Sequence, residues 1–356
     1  MRHPGKAILG LVVTILLLWW ALRGVPFAEV WGQIRQGDFL LLGAAAAVAT
    51  LGLIIRAMRW KVLLTPVKSD SAFRARFAST SIGFMANNLL PARAGEFARA
   101  YALSRLEPVS ASAAFGSLVV ERFLDMIVLL VFLVLPVFTP GFPSVEVPSE
   151  GIGVVAVKGA LVVVAAIVGV LLVMAFWPGA FVRVTERIAR RLPRSVARPI
   201  VDASEAFLDS IALIRSPRLL MAGFAWTVAF WLWHGLSFLL GMRAFGIETG
   251  PVSAYFTSSV VAFGVSLPAA PGFVGTFHAS ADFALGSVYG VEAARSLAFA
   301  FGYHFAGWIP VTALGLYFAW RLGLTLGDVG ASEERVEEVI EGEHPGLLDT
   351  TDHGQP

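Results

Sequence analysis

The stretch NNLLPARAGEFARA, from Asn87 to Ala100, brings two amides, a proline, a glycine, two arginines and a glutamate into an otherwise apolar chain. Arg93 and Arg99 stand three residues either side of Glu96, on neighbouring turns of a helix that starts near Pro91 and Gly95. A guanidinium beside a helix amino terminus suits a phosphate, because exposed backbone donors and the planar fork act together. Glu96 offers an acceptor for a cationic headgroup amine. The competing reading is an Arg–Glu cluster that satisfies itself at a membrane face. Farther on, ERFLD places Glu121 and Asp125 on one helical face, with Arg122 in reach of Asp125. Charges inside an apolar helix line a cavity or form an ion pair.

His278 and Asp282 follow the same i, i+4 rule, which allows a proton-responsive pair or a structural hydrogen bond. His304 and Trp308 share a face farther along, as a packed pair or as cavity lining. In IIRAMRW, Arg56, Arg59 and Trp60 fit contacts to lipid phosphate, and equally fit snorkelling anchors at the interface. The sequence holds no cysteine, no GxxxxGK[ST] loop, no GxSxG elbow and no metal-ligand cluster. ATP hydrolysis, thiolate chemistry and a bound metal are therefore not expected, and neither is a cofactor or a nucleic-acid partner.

The elements that must hold these groups are set by composition. Over 356 residues, 57% are hydrophobic and 15% charged, against about 25% charged in a soluble domain. The fold class expected is an all-α polytopic membrane protein. Six runs have the roughly 20 apolar residues that a membrane span needs: 7–22, 39–55, 118–138, 152–176, 219–240 and 297–320. The first reads as an uncleaved helix rather than a signal peptide, since Trp19 and Trp20 suit an interfacial belt. Basic clusters at 56–76 and 183–198 mark cytoplasmic loops, whereas 139–151 carries Glu146 and Glu150 with no Lys or Arg. Both termini are then cytoplasmic in a cell-membrane protein. A linker at 178–218 sets Phe181, Val184, Ile188 and Leu192 on one face, as a helix lying on the inner leaflet or one packed on the domain would. The membrane domain is expected over 1–326. An acidic tail over 327–356, with nine acids against Arg335, is expected to be solvated and partly disordered.

Two further apolar stretches, 71–104 and 251–289, are too long for one span and are broken by Pro and Gly. LPARAG at 90–95 aligns with LPAAPG at 267–272, and each follows a small polar cluster, STS at 79–81 and TSS at 257–259. The flanking helices run in opposite senses by the charge pattern. This implies an inverted-topology repeat, with halves at about 39–138 and 219–320 and two interrupted segments, each a re-entrant hairpin or a pair of short crossings. Pro91, Gly95, Pro268, Pro271, Gly272 and Gly275 would be the hinges. Broken backbone at membrane depth needs protein or a wet cavity around it. Paired breaks of this kind point to a transport site.

RAMRWKVLL, GFMANNLLPARAGEFARA, ERFLD and LPAAPGFVGT together resemble the flippase-like family that includes the membrane region of lysylphosphatidylglycerol synthase. The resemblance covers about 56–321. It implies a lipid-accessible cavity that moves polar lipids between leaflets, anionic or aminoacylated phospholipids as partners, and a separately encoded lipid-modifying enzyme as a possible one. Asn87, Asn88, Pro91, Arg93, Gly95, Glu96, Arg99, Glu121, Arg122 and Asp125 carry the family pattern. Phe273 and His278 depart from it, where relatives often have glycine and glutamate. The segment after Arg321 is too short for an aminoacyltransferase domain. A membrane-embedded transferase acting on a headgroup is the competing class.

Overall fold

A computed structural model describes residues 4–90, 94–139, 142–143, 183, 187, 216–266, 270–332 and 334–336, with side chains from residue 12 onward. Among these residues every regular element is helical. Helices α1 (Pro4–Leu22) and α2 (Phe27–Gln36) lead into α3 (Phe39–Leu64), α4 (Phe73–Leu89), α5 (Gly95–Leu106) and α6 (Ala111–Val134). After the linker come α7 (Pro217–Ala244), α8 (Pro251–Gly264), α9 (Thr276–Asp282), α10 (Ala293–Arg321) and a short α11 (Leu326–Gly330).

Local chemistry sets several helix starts. The Asp38 carboxylate accepts from the N–H groups of Leu40 and Leu41 at 2.9 and 3.0 Å, capping α3. The Ser110 hydroxyl caps α6 through the Ala113 N–H at 3.2 Å. Pro217 and Pro251 open α7 and α8, where a missing N–H costs nothing.

Helices α3, α7 and α10 are long and apolar enough to cross a membrane; α1 and α2, bent by 80° at their break, make a fourth span if taken as one. The run expected at 118–138 is α6 and a short 3-10 turn, Leu135–Phe138. Glu121, Arg122 and Asp125 take it out of the purely apolar class. The run expected at 152–176 lies outside the described residues. So does the amphipathic linker, except Arg183, Arg187 and the residues from 216. The start of the acidic segment is helical and packed: Val329 and Val336 are buried, and Thr325 and Asp328 form a capping box.

Two halves repeat one element order: a long helix, a pair of shorter helices joined by a break, and a second long helix. Helices α3 and α7, the equivalent first members, run antiparallel. Ala45, Val48, Gly52 and Leu63 meet Ser237, Trp233, Phe230 and Gly223 in descending order. The other contacts are reciprocal. Helix α4 packs on α10 as α8 packs on α6, and α3 packs on α10 as α7 packs on α6. The two halves thus share one pattern of neighbouring helices. Apolar tails compete equally for apolar helix faces, so close backbone approach and interhelical hydrogen bonds hold such a bundle. Both occur here. The Trp233 indole N–H donates to the Val48 carbonyl at 2.7 Å, and a Cβ on Gly315 would lie 2.2 Å from that of Met85.

Candidate functional site

The two motif arginines of α3, the Arg99 of α5 and the ERFLD turn of α6 converge inside the bundle. Glu121 Oε1 is 2.8 Å from Arg59 Nη2, 2.8 Å from Arg99 Nη1, 2.7 Å from Arg122 Nη2 and 3.7 Å from Arg56 Nη1. Asp125 takes Arg59 at 2.5 Å, Arg122 at 3.3 Å and the Trp231 indole N–H at 2.9 Å. Arg59 also donates to the Thr227 hydroxyl at 3.3 Å. Glu121 and Arg59 are fully buried, and only Arg122, 37% exposed, reaches the surface.

Four guanidiniums thus face two carboxylates, an excess of two positive charges. The half-buried Glu96 attracts Arg122 at longer range, so at least one charge stays unbalanced. Among the described residues Arg56 Nη1, Arg59 Nε, Arg99 Nε, Arg99 Nη2 and Arg122 Nε have no hydrogen-bond partner, and neither does the acceptor Glu121 Oε2. A buried donor without an acceptor costs about 1–3 kcal/mol, and more when it is charged. Aromatic faces hold two of these groups in place. Arg56 lies 3.8 Å above Phe230 and 4.7 Å from Phe84, and Arg99 lies 3.9 Å above Trp60. Such stacking fixes a guanidinium plane and leaves its edge for an oxyanion.

Arg56 and Arg59, expected from sequence to contact lipid phosphate at the interface or to anchor there, are buried members of this cluster. The reason is that they stand on the face of α3 turned to α6 and α7, where carboxylates wait. Arg122 pairs with Asp125 as its spacing suggests. Pro91, Arg93 and Pro268 lie outside the described residues. Phe230, Trp231 and Thr227 were not singled out from sequence. Their signal is present in WTVAFWLWH, where Thr227 and Trp231 share a face at i, i+4, but aromatic runs in membrane helices are common.

The two breaks meet. Asn87 Oδ1 accepts the Gly95 N–H at 2.9 Å, which closes the α4–α5 hairpin. Gly95 is obligatory there, since a Cβ would fall 2.3 Å from the Gly83 carbonyl oxygen. Asn88 Nδ2 donates to the Thr312 hydroxyl of α10 at 2.8 Å. In the second break, Gly272, Phe273 and Gly275 all have positive φ, of 71°, 57° and 91°. For phenylalanine this is a strained backbone. A Cβ on Gly272 would lie 3.2 Å from the Asn88 carbonyl oxygen and 2.9 Å from Trp308 Nε1. Pro271 opens the short 3-10 turn at that contact.

His278 and Asp282 do not pair. Asp282 accepts from the Ser296 hydroxyl, whereas His278 Nδ1 accepts the Gly275 N–H at 3.3 Å. His278 packs instead against His304, with ring centroids 5.1 Å apart. Among the described residues no group of three His, Asp or Glu side chains is arranged to hold a metal ion.

Residues 7–315 match the family model described as Lysylphosphatidylglycerol synthase TM region. Glycosyltransferase AglD of Haloferax volcanii is 24% identical over 82% of this chain and 50% of its own length. A UPF0104 membrane protein of Methanocaldococcus jannaschii is 36% identical over 22% of this chain and 24% of its own. Another, from Methanothermobacter thermautotrophicus, is 26% identical over 35% and 37% respectively. The chain thus spans half or less of the length of these curated relatives. No solved structure matches it.

Proposed function

The chain belongs to the lysylphosphatidylglycerol synthase transmembrane-region family, and from that premise we propose that it moves a phosphate-bearing polar lipid between the leaflets of the cell membrane. The observation that carries this reading is the excess of positive charge at the buried Arg56, Arg59 and Arg99 and the part-exposed Arg122 over two carboxylates. Uncompensated buried charge is expensive. An anionic headgroup supplies the missing counter-charge and gives the unpartnered N–H groups an acceptor. The Asn88–Gly272 contact supports a path between the halves, because two interrupted hairpins that touch can exchange packing without unravelling a long helix. In this reading the hairpins are re-entrant, the repeat is inverted across the membrane, and both termini face the cytoplasm.

Acid–base catalysis by Asp125 finds less support. Asp125 has both oxygens engaged by Arg59, Arg122 and Trp231. The name of AglD favours a second reading, a membrane region that serves a transferase, since the matched part is only half of that protein. Leaflet-resolved lipid analysis of cells lacking the gene separates the two. Under the translocase reading, the lipid complement is unchanged but one anionic species accumulates in a single leaflet. Loss of a lipid species with no change in sidedness would reject translocation in favour of the transferase role.

A further inference from the structure

The arginine cluster has a counterpart in the second half that carries no charge. Arg99 and Glu121 meet between α5 and α6; by element order the matching pair in the second half is α9 and α10. There His278 of α9 meets His304 of α10. His278 is fully buried and His304 is 8% exposed. Among the described residues each ring has one buried nitrogen without a partner. His278 Nδ1 accepts from the Gly275 N–H, so the neutral ring has its proton on Nε2, and this atom has no partner. The Gly272 backbone beside His304 favours a proton on the ring's Nε2, and in that form Nδ1, which has no partner among the described residues, is an acceptor. The two unpaired atoms do not bond each other.

A buried donor and a buried acceptor on rings whose centroids lie 5.1 Å apart are complementary to a group that accepts from the first and donates to the second, as a hydroxyl does. Aromatic faces enclose them. Phe277 stacks on His304 at 4.3 Å, and Phe301 lies 4.0 Å from His278. Such walls fit the C–H faces of a polyol and offer nothing to a phosphate. The pair is tied to the second break by the bond from the Gly275 N–H to His278. A line of rings ties it back to the arginines: Phe230 under Arg56, then His234, Phe238 and Phe277.

We propose that His278 and His304 form a second headgroup station, which takes a hydroxyl of a polyol headgroup. This rests on the translocase reading and narrows its substrate to phospholipids that bear glycerol or a sugar beyond the phosphate. The arginine station reads the phosphate, and the histidine station reads what is attached to it.

The test is equilibrium binding to the purified full chain in detergent, with three probes: phosphatidate, phosphatidylglycerol and a polyprenyl-phosphate hexose. Wild type should bind one hydroxyl-bearing probe about tenfold more tightly than phosphatidate, the effect of two hydrogen bonds to a neutral ligand. Which of the two it is identifies glycerol or sugar as the source. His278→Phe and His304→Phe should each erase that preference and keep phosphatidate affinity, whereas Arg99→Gln should weaken all three. His278→Gln, which keeps a donor, should retain part of the preference and guards against misfolding of the phenylalanine variants. Equal binding of the three probes by wild type, or a preference that survives both histidine replacements, overturns the proposal. Failure of phosphatidate to bind wild type at all would instead reject the phosphate-lipid reading beneath it.

Discussion

Glu121→Gln removes one charge from the arginine cluster and almost no volume. The Glu121 oxygen lies within 2.8 Å of three guanidiniums and 3.7 Å from a fourth. Without its charge, four arginines share Asp125, and the excess rises from two positive charges to three. Breaking one partner out of a buried ion pair costs about 3–5 kcal/mol, because the remaining charge stays in a poor solvent. The Gln amide oxygen still accepts one hydrogen bond, so the lower end, about 3 kcal/mol, is expected. A second effect has the opposite sign. A cluster with more positive charge should bind an anion more tightly, and a ligand held only by the folded state stabilises it by mass action. Thermal unfolding in a neutral detergent, with and without phosphatidate, reads both effects. The variant should unfold at a lower temperature than wild type, and phosphatidate should raise its midpoint by more than it raises that of wild type. If the lipid shifts the two proteins equally, the cluster does not bind the anion. If the variant is as stable as wild type, the charge accounting is wrong.

Other outcomes follow from single contacts. Gly315→Leu sets a side chain against Met85 and the Ser81 carbonyl, and over-packing there should cost about 1–3 kcal/mol by thermal unfolding. Phe273→Gly relieves a positive-φ backbone, so it should change stability by less than about 1 kcal/mol in either direction. Phe277→Ala, a buried stacking partner of His304, should by contrast cost about 3–5 kcal/mol. At the carboxy-terminal end, the Thr325 hydroxyl and N–H and the Arg335 guanidinium hold the Asp328 carboxyl below its ordinary value. Its contribution is therefore present above the unfolded-state value and fades as pH falls through the lower folded one. Proteolysis after Gly330 should become faster in acid, and Asp328→Asn should show that faster cleavage already at neutral pH.

Much of this arrangement was legible in the sequence because helices in hydrocarbon obey a simple rule: backbone polar groups satisfy themselves, so breaks are rare and meaningful. The LPARAG and LPAAPG segments announced two breaks at matching places, and Gly272 does sit against Asn88. The i, i+3 pairing of Arg122 with Asp125 follows from helix geometry alone. The rest depended on tertiary packing. Nothing in IIRAMRW distinguishes a snorkelling arginine from one turned inward, and only the carboxylates of α6 decide it. The same limit applies to His278, whose i, i+4 neighbour Asp282 is drawn away by Ser296 while His304, 26 residues on, becomes its partner. Phe230 and Trp231 were lost in an aromatic run whose useful face shows only once α3 and α7 are set side by side.

The most direct test of the central claim is transbilayer movement in proteoliposomes. A leaflet-specific quench of labelled anionic phospholipid compares wild type, Arg99→Gln and protein-free vesicles. Faster movement with wild type, reduced about tenfold or more by Arg99→Gln in protein that folds and reconstitutes equally, is the predicted result. Movement in wild-type vesicles no faster than in empty ones, or unaffected by loss of the Arg99 charge, would contradict it.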